Sequence, residues 1–278
     1  MATPIGNLGD IGLRALETLR GVEAVAAEDT RVTRQLLAHH GISKRLIPVH
    51  EHNEKRAVDG ILALLRAGRS VALTCDAGTP AISDPGALLV AAARAAGFQV
   101  APVPGPNAAI AALSVCGFGT PHHLFYGFLP ARAAARRREL SALASLPYTL
   151  VFYEAPHRVE ECVSDLRAVL GEARRIVIAR ELTKLFESVH ACTLGEAGAW
   201  LAGDPDRRKG EFVVIVEGAA ESKAETEMSG KRVLEVLLDE LPLRQAVEMA
   251  ARITGGRKNE LYRLALAMRK KALPSRSR

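Results

Sequence analysis

The chain has 278 residues, 48% hydrophobic and 24% charged, a balance typical of globular domains that excludes disordered and collagen-like architectures. No apolar run approaches the roughly 20 residues that span a bilayer, the start Met1–Asn7 lacks an export signal, and Cys75, Cys116, Cys162 and Cys192 lie too far apart for a disulfide framework or zinc site, so a cytoplasmic protein is expected. Lys and Arg number 37 against 31 Asp and Glu, and the whole excess falls in residues 231–278, with 12 basic and 5 acidic groups; this is either the footprint of a polyanion contact confined to one module or a solvated basic helix.

In chain order, a Pro/Gly turn at Thr3–Asp10 leads into a helix at 10–20, a strand at 23–27, a helix at 30–39, a strand at 46–50, a helix at 53–67 and a strand at 70–75. Then come a helix at 86–96, a strand at 98–103 and a helix at 107–116. The stretch Gly117–Pro121 reads as a domain boundary. Beyond it lie strands at 124–128, 149–153, 175–180, 188–193 and 212–217, with helices at 132–145 and 156–170. Apolar runs such as Phe212–Val216 do not alternate, which marks strands covered on both faces. Alternation of such strands with amphipathic helices predicts an α/β protein. Polar Glu221–Glu227 reads as a linker, and helical patterns at 231–240, 243–253 and 258–270 can share a small core of Leu234, Leu237, Leu238, Val247, Ala250, Ile253, Leu261, Leu264 and Ala265. Three such helices suit either a helix-turn-helix or a plain dimerisation or packing module.

Chemistry is sought in the turns. The chain has no G-x-G-x-x-G after a strand, no P-loop, no H-E-x-x-H and no G-x-S-x-G. His50-Glu51-His52 has no further ligands nearby in sequence and reads as a polar strand end or helix start. Instead, Thr3–Asp10, Asp76–Gly86 and Pro104–Ala109 place Gly, Pro and helix-capping residues where strands hand over to helices. In an open α/β sheet such loops gather beyond the strand carboxyl ends, where ligands bind, and small residues let a ligand reach bare backbone. Each loop alone is satisfied as a capped turn; three together favour a small-molecule site. Asp76 and Asp84 suit a ligand carrying cationic groups and hydroxyls. Glu154–Arg158 and Arg180–Glu187 repeat the device in the second half.

Together Ala2–Ile11, Glu28–Arg31, Asp76–Gly86, Tyr153–Arg158, Ala179–Glu187 and Lys209–Phe212 resemble the tetrapyrrole methylase superfamily of S-adenosylmethionine enzymes. Within it they are most similar to the branch that methylates a cytidine ribose 2′-hydroxyl in 16S small-subunit ribosomal RNA. The resemblance implies two α/β domains, 1–118 and 119–220, with a cofactor cleft between them, a linker at 221–230, a basic helical module at 231–278, and a homodimer. It sets S-adenosyl-L-methionine against Pro4, Gly6, Asn7, Asp76, Ala77, Gly78, Thr79, Ser83, Asp84, Pro104, Gly105, Ala108, Tyr153, Glu154 and Ala155. Family members carry an apolar strand before the Ala-Thr-Pro-Ile-Gly-Asn turn. Met1 stands in its place here, so either the start codon lies downstream of the true one or the first sheet lacks a central strand.

A sulfonium methyl is already activated, so the enzyme must chiefly align the nucleophile, and a ribose hydroxyl calls for a general base or polarising cation. Lys184, with Glu187 as its orienting partner, is the expected pair, since a desolvated lysine can lose its proton; Glu181, Arg180, Asp29 and Arg31 are the other candidates. RNA contacts are expected from Arg132, Arg136, Arg137 and Arg138 and, in the tail, Arg244, Arg252, Arg257, Lys258 and Arg263. Aromatic residues make up only 4% of the chain, which argues against a surface built mainly on base stacking. The rivals are a corrinoid or porphyrinoid C-methylase on the same fold and a non-enzymatic helix-turn-helix regulator.

Overall fold

The first sheet is built from α1 (Leu13–Gly21), β1 (Ala24–Ala27), α2 (Thr30–His39), β2 (Arg45–Pro48), α3 (Glu54–Arg66), β3 (Val71–Thr74) and α4 (Ala87–Ala95). Its strands pair in parallel in the order β2-β1-β3. Central β1 is covered on both faces, and all four of its small residues are buried: Val25 packs with Leu19, Leu36 and Leu37, and Ala26 with Val49, Ile61 and Leu89. These coordinates are a computed structural model that describes residues 1–50, 53–220 and 223–272. Glu51 and His52 of the His50-Glu51-His52 run lie outside the described residues.

The strand expected at 98–103 does not form. The amino group of Met1 donates to the Leu73 carbonyl at 2.7 Å, and Ala2 N–H to the Val103 carbonyl at 3.1 Å, so Met1–Thr3 runs between β3 and this stretch. Three residues are too few to supply it with a ladder.

The second sheet comprises β4 (His123–Phe128), β5 (Thr149–Glu154), β6 (Arg175–Arg180), β7 (Ser188–Thr193) and β8 (Phe212–Val216), in the order β4-β5-β8-β6-β7. Only β4 and β5 run parallel; the other pairs are antiparallel. On one face Phe152, Ile176, Ile178 and Val214 meet Leu140 of α6 (Ala133–Leu143), Leu166 of α7 (Val159–Leu170) and Leu201 of α8 (Leu194–Ala202). On the other, Val151, Val177 and Ile215 meet Ala109 and Ala112 of α5 (Ala108–Val115). The packing therefore does not divide at 118/119, because α5 belongs to the second sheet. Residues Met1–Gly218 form one unit holding both sheets. Helix α8 was absent from the sequence-based expectation, although Thr193 and Glu196 form the capping box that starts it.

Ala219–Arg278 forms the second unit. Its helices are α9 (Lys223–Glu240), α10 (Leu243–Thr254) and α11 (Lys258–Ala272), packed around Leu234, Val247, Ala250, Leu261 and Ala265. The linker expected at 221–230 is helical from Lys223 onward. Ile253, expected in this core, is exposed. Gly255, in the left-handed region at φ 68°, ends α10.

The loop Asp76–Gly86 depends on a buried carboxylate. Ala81 and Ser83 hold left-handed conformations, φ 64° and 67°, which cost non-glycine residues free energy and persist only where the surroundings over-determine them. Glu54, at the start of α3 and nearly fully buried, accepts hydrogen bonds at Oε1 from the backbone N–H groups of Gly86 and Leu89, both at 3.1 Å, and so caps α4, which has no side-chain cap of its own. Replacing Glu54 by Ala strands both donors and is expected to cost about 2–4 kcal/mol in denaturant unfolding. Glu54→Gln, which keeps the accepting oxygen, is expected to lose less than half of that.

Candidate active site

Three loops at the carboxyl end of the first sheet are stitched into one wall. Thr3 N–H donates to the Gly78 carbonyl at 2.8 Å and Gly78 N–H returns to Thr3 at 3.1 Å, while the Thr3 hydroxyl donates to the Cys75 carbonyl at 3.1 Å. The Thr79 hydroxyl donates to the Pro106 carbonyl at 3.2 Å, joining the 104–108 loop. Asp76 turns its carboxylate to Asp29 N–H at 2.9 Å, so it ties the ends of β1 and β3 together. Gly105 stands where an added Cβ would lie 3.0 Å from that of Ala2, and thereby lets this loop pack against the start of the chain.

The opposite wall comes from the second sheet. Between β6 and β7 the chain forms a strap, Glu181–Glu187, in which Glu181 and Thr183 are left-handed. Arg180 spends its guanidinium on holding it: Nε donates to Ser188 Oγ, and the terminal nitrogens to the Lys209 and Phe186 carbonyls, all at 3.0–3.3 Å. The strap lies on Gly6, where a Cβ would come within 2.4 Å of Lys184 Cγ and 3.1 Å of the Leu182 carbonyl. Asn7 N–H donates to Thr183 Oγ1 at 3.1 Å. A second seam closes at Gly127, whose absent Cβ would sit 2.9 Å from Ser83 Oγ, and Tyr153 Oη accepts from Ala109 N–H at 3.3 Å.

Between these seams lies a cavity of about 400 Å³, lined by Ile5, Ala77–Thr79, Ile82–Asp84, Asn107, Ala108, Phe128, Tyr153–Pro156, Leu182 and Glu211–Val213. Its size lies in the range of small-molecule sites. Burial, reinforced by the neighbouring Glu28 carboxylate, pushes Asp84 up to about 6. Burial and Asp84 push the Cys75 thiol up to about 12, so it stays protonated and inert. The cavity thus offers an apolar wall, bare backbone and one carboxylate poised near neutrality, a fit for a cation carrying an apolar body.

Residues 2–198 match the family model of tetrapyrrole (corrin/porphyrin) methylases, and residues 224–269 match that of the RsmI C-terminal HTH domain. The chain belongs to the tetrapyrrole methylase family. Proteins named ribosomal RNA small subunit methyltransferase I are similar along almost the whole length: one from Xylella fastidiosa is 53% identical over 94% of this chain and 96% of its own, and one from Escherichia coli O157:H7 is 49% identical over 95% and 92%. Among solved structures, the methyltransferase CobJ shares the fold at a TM-score of 0.57 and 20% identity, covering 77% of this chain and 91% of its own. A uroporphyrin-III C-methyl transferase from Thermus thermophilus, complexed with S-adenyl homocysteine, shares it at 0.53 and 17%, covering 76% and 93%.

Of the residues expected against the methylase cofactor, Ala77, Gly78, Thr79, Ser83, Asp84, Ala108, Tyr153, Glu154 and Ala155 line the cavity. Pro4, Gly6, Asn7, Asp76, Pro104 and Gly105 do not; they hold the lining loops from behind or lie beside them. The expected set did not include Ile5, Ile82, Asn107, Phe128, Pro156, Leu182, Glu211, Phe212 and Val213, which also line the cavity. Apolar side chains on strand ends look identical in sequence whether they face a cavity or a core.

The expected pairing of Lys184 with Glu187 is not the one the fold makes. Lys184 Nζ donates to Glu181 Oε1 and Glu211 Oε2, both at 2.9 Å, whereas Glu187 accepts from Thr183 N–H. Burial pulls the Lys184 pKa down, but the two carboxylates outweigh it and hold the group above its ordinary value. It is an ammonium at neutral pH, and the idea of a desolvated lysine base falls. Asp29 is held at about 2 by its bond with Arg31 and does not line the cavity. Arg136 also leaves the RNA set: it is buried, with Nε 2.6 Å from Asp165, and joins α6 to α7. Lys258 is ion-paired with Glu248 at 3.0 Å. Arg132, Arg137, Arg138, Arg244, Arg252, Arg257 and Arg263 are exposed.

Gly6→Val is expected to force the strap off the first loop and to weaken S-adenosylmethionine binding at least about tenfold in calorimetry while circular dichroism stays native. The two are separable because the strap carries almost none of either sheet's core.

Proposed function

We propose that this methylase transfers the methyl group of S-adenosyl-L-methionine to the ribose 2′-hydroxyl of a cytidine in 16S small-subunit ribosomal RNA. The near full-length identity to relatives named ribosomal RNA small subunit methyltransferase I carries this reading, and the cavity supports it. When bound, the cofactor would supply a methyl group already activated on a sulfonium, for transfer to the ribose oxygen with S-adenosylhomocysteine as the leaving group and the hydroxyl proton passing to solvent water. The chain provides the setting. Backbone at Ala77–Thr79, Asn107–Ala108 and Ala155 would hold the cofactor, with the Asp84 carboxylate as counter-charge to its cationic part. Lys184, fixed as an ammonium by Glu181 and Glu211, would brace the strap beside the cavity.

The exposed arginines of α6 and of the helical module would meet RNA phosphates, their planar forks suited to paired contacts. Exposed Leu13, Ile110 and Val115 would be covered in a homodimer. Among the described residues no helix is long and apolar enough to cross a membrane, and a cytoplasmic enzyme, where assembling ribosomal subunits are found, is part of the proposal. Incubation with methyl-labelled cofactor and unmodified small subunits is expected to place label on a cytidine ribose; label in a tetrapyrrole, or in neither, refutes the reading.

Asp84→Asn is expected to weaken S-adenosylmethionine about tenfold and S-adenosylhomocysteine, which lacks the positive charge, by less than about twofold. Because the Asp84 pKa is raised, protonation removes the counter-charge: wild-type affinity for the cation is expected to fall as pH drops through about 6. The unliganded fold is expected to gain stability over the same interval, since the folded state holds this proton more tightly than the unfolded one. Calorimetry and thermal melts from pH 5 to 8 read both trends.

Replacing Arg252, Arg257 and Arg263 together by Gln is expected to lower the slope of log affinity for RNA against log salt by about 2–3, as each of the three lost phosphate contacts releases a little under one counterion fewer. An unchanged slope in filter binding would remove the module from the RNA interface.

A further inference from the structure

Phe128 is an exposed aromatic ring at the edge of the cavity. It ends β4, remains 52% exposed, and lines the cavity. The other large exposed aromatic side chains of Met1–Gly218 among the described residues, Tyr148 and Phe186, do not. Its orientation is built into the strand. The register between β4 and β5 shifts between Phe125 and Gly127, and Gly127 takes φ 80°, a bulge of the kind that re-aims the following side chain. Phe128 then leans edge-on against Tyr153 with ring centroids 5.7 Å apart, and Tyr153 leans in turn on Phe125 at 4.9 Å. The ring is thereby held while more than half of it stays open to water.

A ribose 2′-hydroxyl can reach a methyl donor inside this cavity only if its nucleotide leaves the stack of its neighbours, and a splayed base needs a surface to replace that stacking. We infer that Phe128 is the platform on which the base of the target nucleotide stacks while its ribose faces the cavity. This rests on the proposed RNA methylation and assigns the base a place at that same site. The cofactor's adenine is the competing occupant. Half-exposure of the ring favours the macromolecular substrate, which arrives from solvent, over a small ligand taken into the cavity between the seams. One ring for one base also agrees with a chain too poor in aromatics to bind RNA by stacking along its length.

The test compares wild type with Phe128→Ala, Phe128→Leu and Phe128→Trp, using unmodified small ribosomal subunits and S-adenosylmethionine. Phe128→Ala and Phe128→Leu are expected to lower kcat/KM for the subunits about 5- to 100-fold, the range for losing one stacked base. Their cofactor dissociation constants are expected to stay within about twofold of wild type. Phe128→Trp is expected to restore at least about half the activity, with tryptophan emission quenched by subunits and not by cofactor. Equal weakening of cofactor binding in Phe128→Ala would assign the ring to adenine and overturn the inference. Wild-type kcat/KM in Phe128→Leu, which keeps the apolar bulk but not the π face, would overturn it as well. Wild-type enzyme that binds cofactor yet leaves the subunits unmethylated would refute the proposed function first and this inference with it.

Discussion

Two backbone approaches that admit no side chain hold the site together. At Gly6 the strap from the second sheet lies against the first loop of the chain, and at Gly127 the bulged end of β4 meets Ser83. Each seam joins loops from different sheets, and the cavity is the space they enclose. A Cβ at either glycine would press on a hydroxyl oxygen at 2.9 Å, so a side chain there would displace one wall. The seams are polar and small, which lets them close the cavity without filling it.

The strain stored around the cavity is consistent with that constraint. Ala81, Ser83, Glu181 and Thr183 are the described non-glycine residues with positive φ, and all four lie in the two loops that face each other across it. Such conformations persist where many contacts over-determine them. Glu54 supplies those contacts to one loop from a buried position, and Arg180, Glu181 and Lys184 supply them to the other. The Lys184 cluster shows how such bracing settles chemistry: the carboxylates that anchor the strap also keep the ammonium charged.

The electrostatics of the walls differ in kind. Within the cavity Asp84 is raised by burial and by the Glu28 carboxylate, so that a bound cation would be met by a poorly solvated counter-charge. Outside it, Arg136 shows that an arginine-rich helix is not automatically a phosphate surface. The guanidinium that the sequence offers to RNA is consumed by Asp165, and Arg137 leans on the same carboxylate at 2.6 Å. The remaining exposed arginines of α6 and the helical module carry the charge that solvent, or an RNA, meets.

Most strands and helices were legible in the sequence because their apolar periods report local geometry directly: Phe212–Val216 reads as a strand covered on both faces and is buried throughout, whereas Val71–Thr74, apolar in the same way, forms an edge strand buried only at Ala72 and Thr74. The glycine- and proline-bearing loops, read as a candidate site because few other residues allow backbone to approach a ligand, supply part of the cavity lining. The capping box before α8 was also present in the residues and was overlooked in favour of hydrophobic period. Other features had no local signal. The 98–103 stretch has strand character, but a strand exists only where a neighbour supplies hydrogen bonds. Helix α5 looks equally suited to either sheet, and only packing assigned it to the second. Which carboxylate meets Lys184, whether Arg136 faces water, and which way Phe128 turns are decided by contacts between residues distant in the chain. Composition and spacing settled which chemistry the chain can hold, and the tertiary structure settled which groups are free to perform it, because charge and exposure belong to neighbours brought together in space.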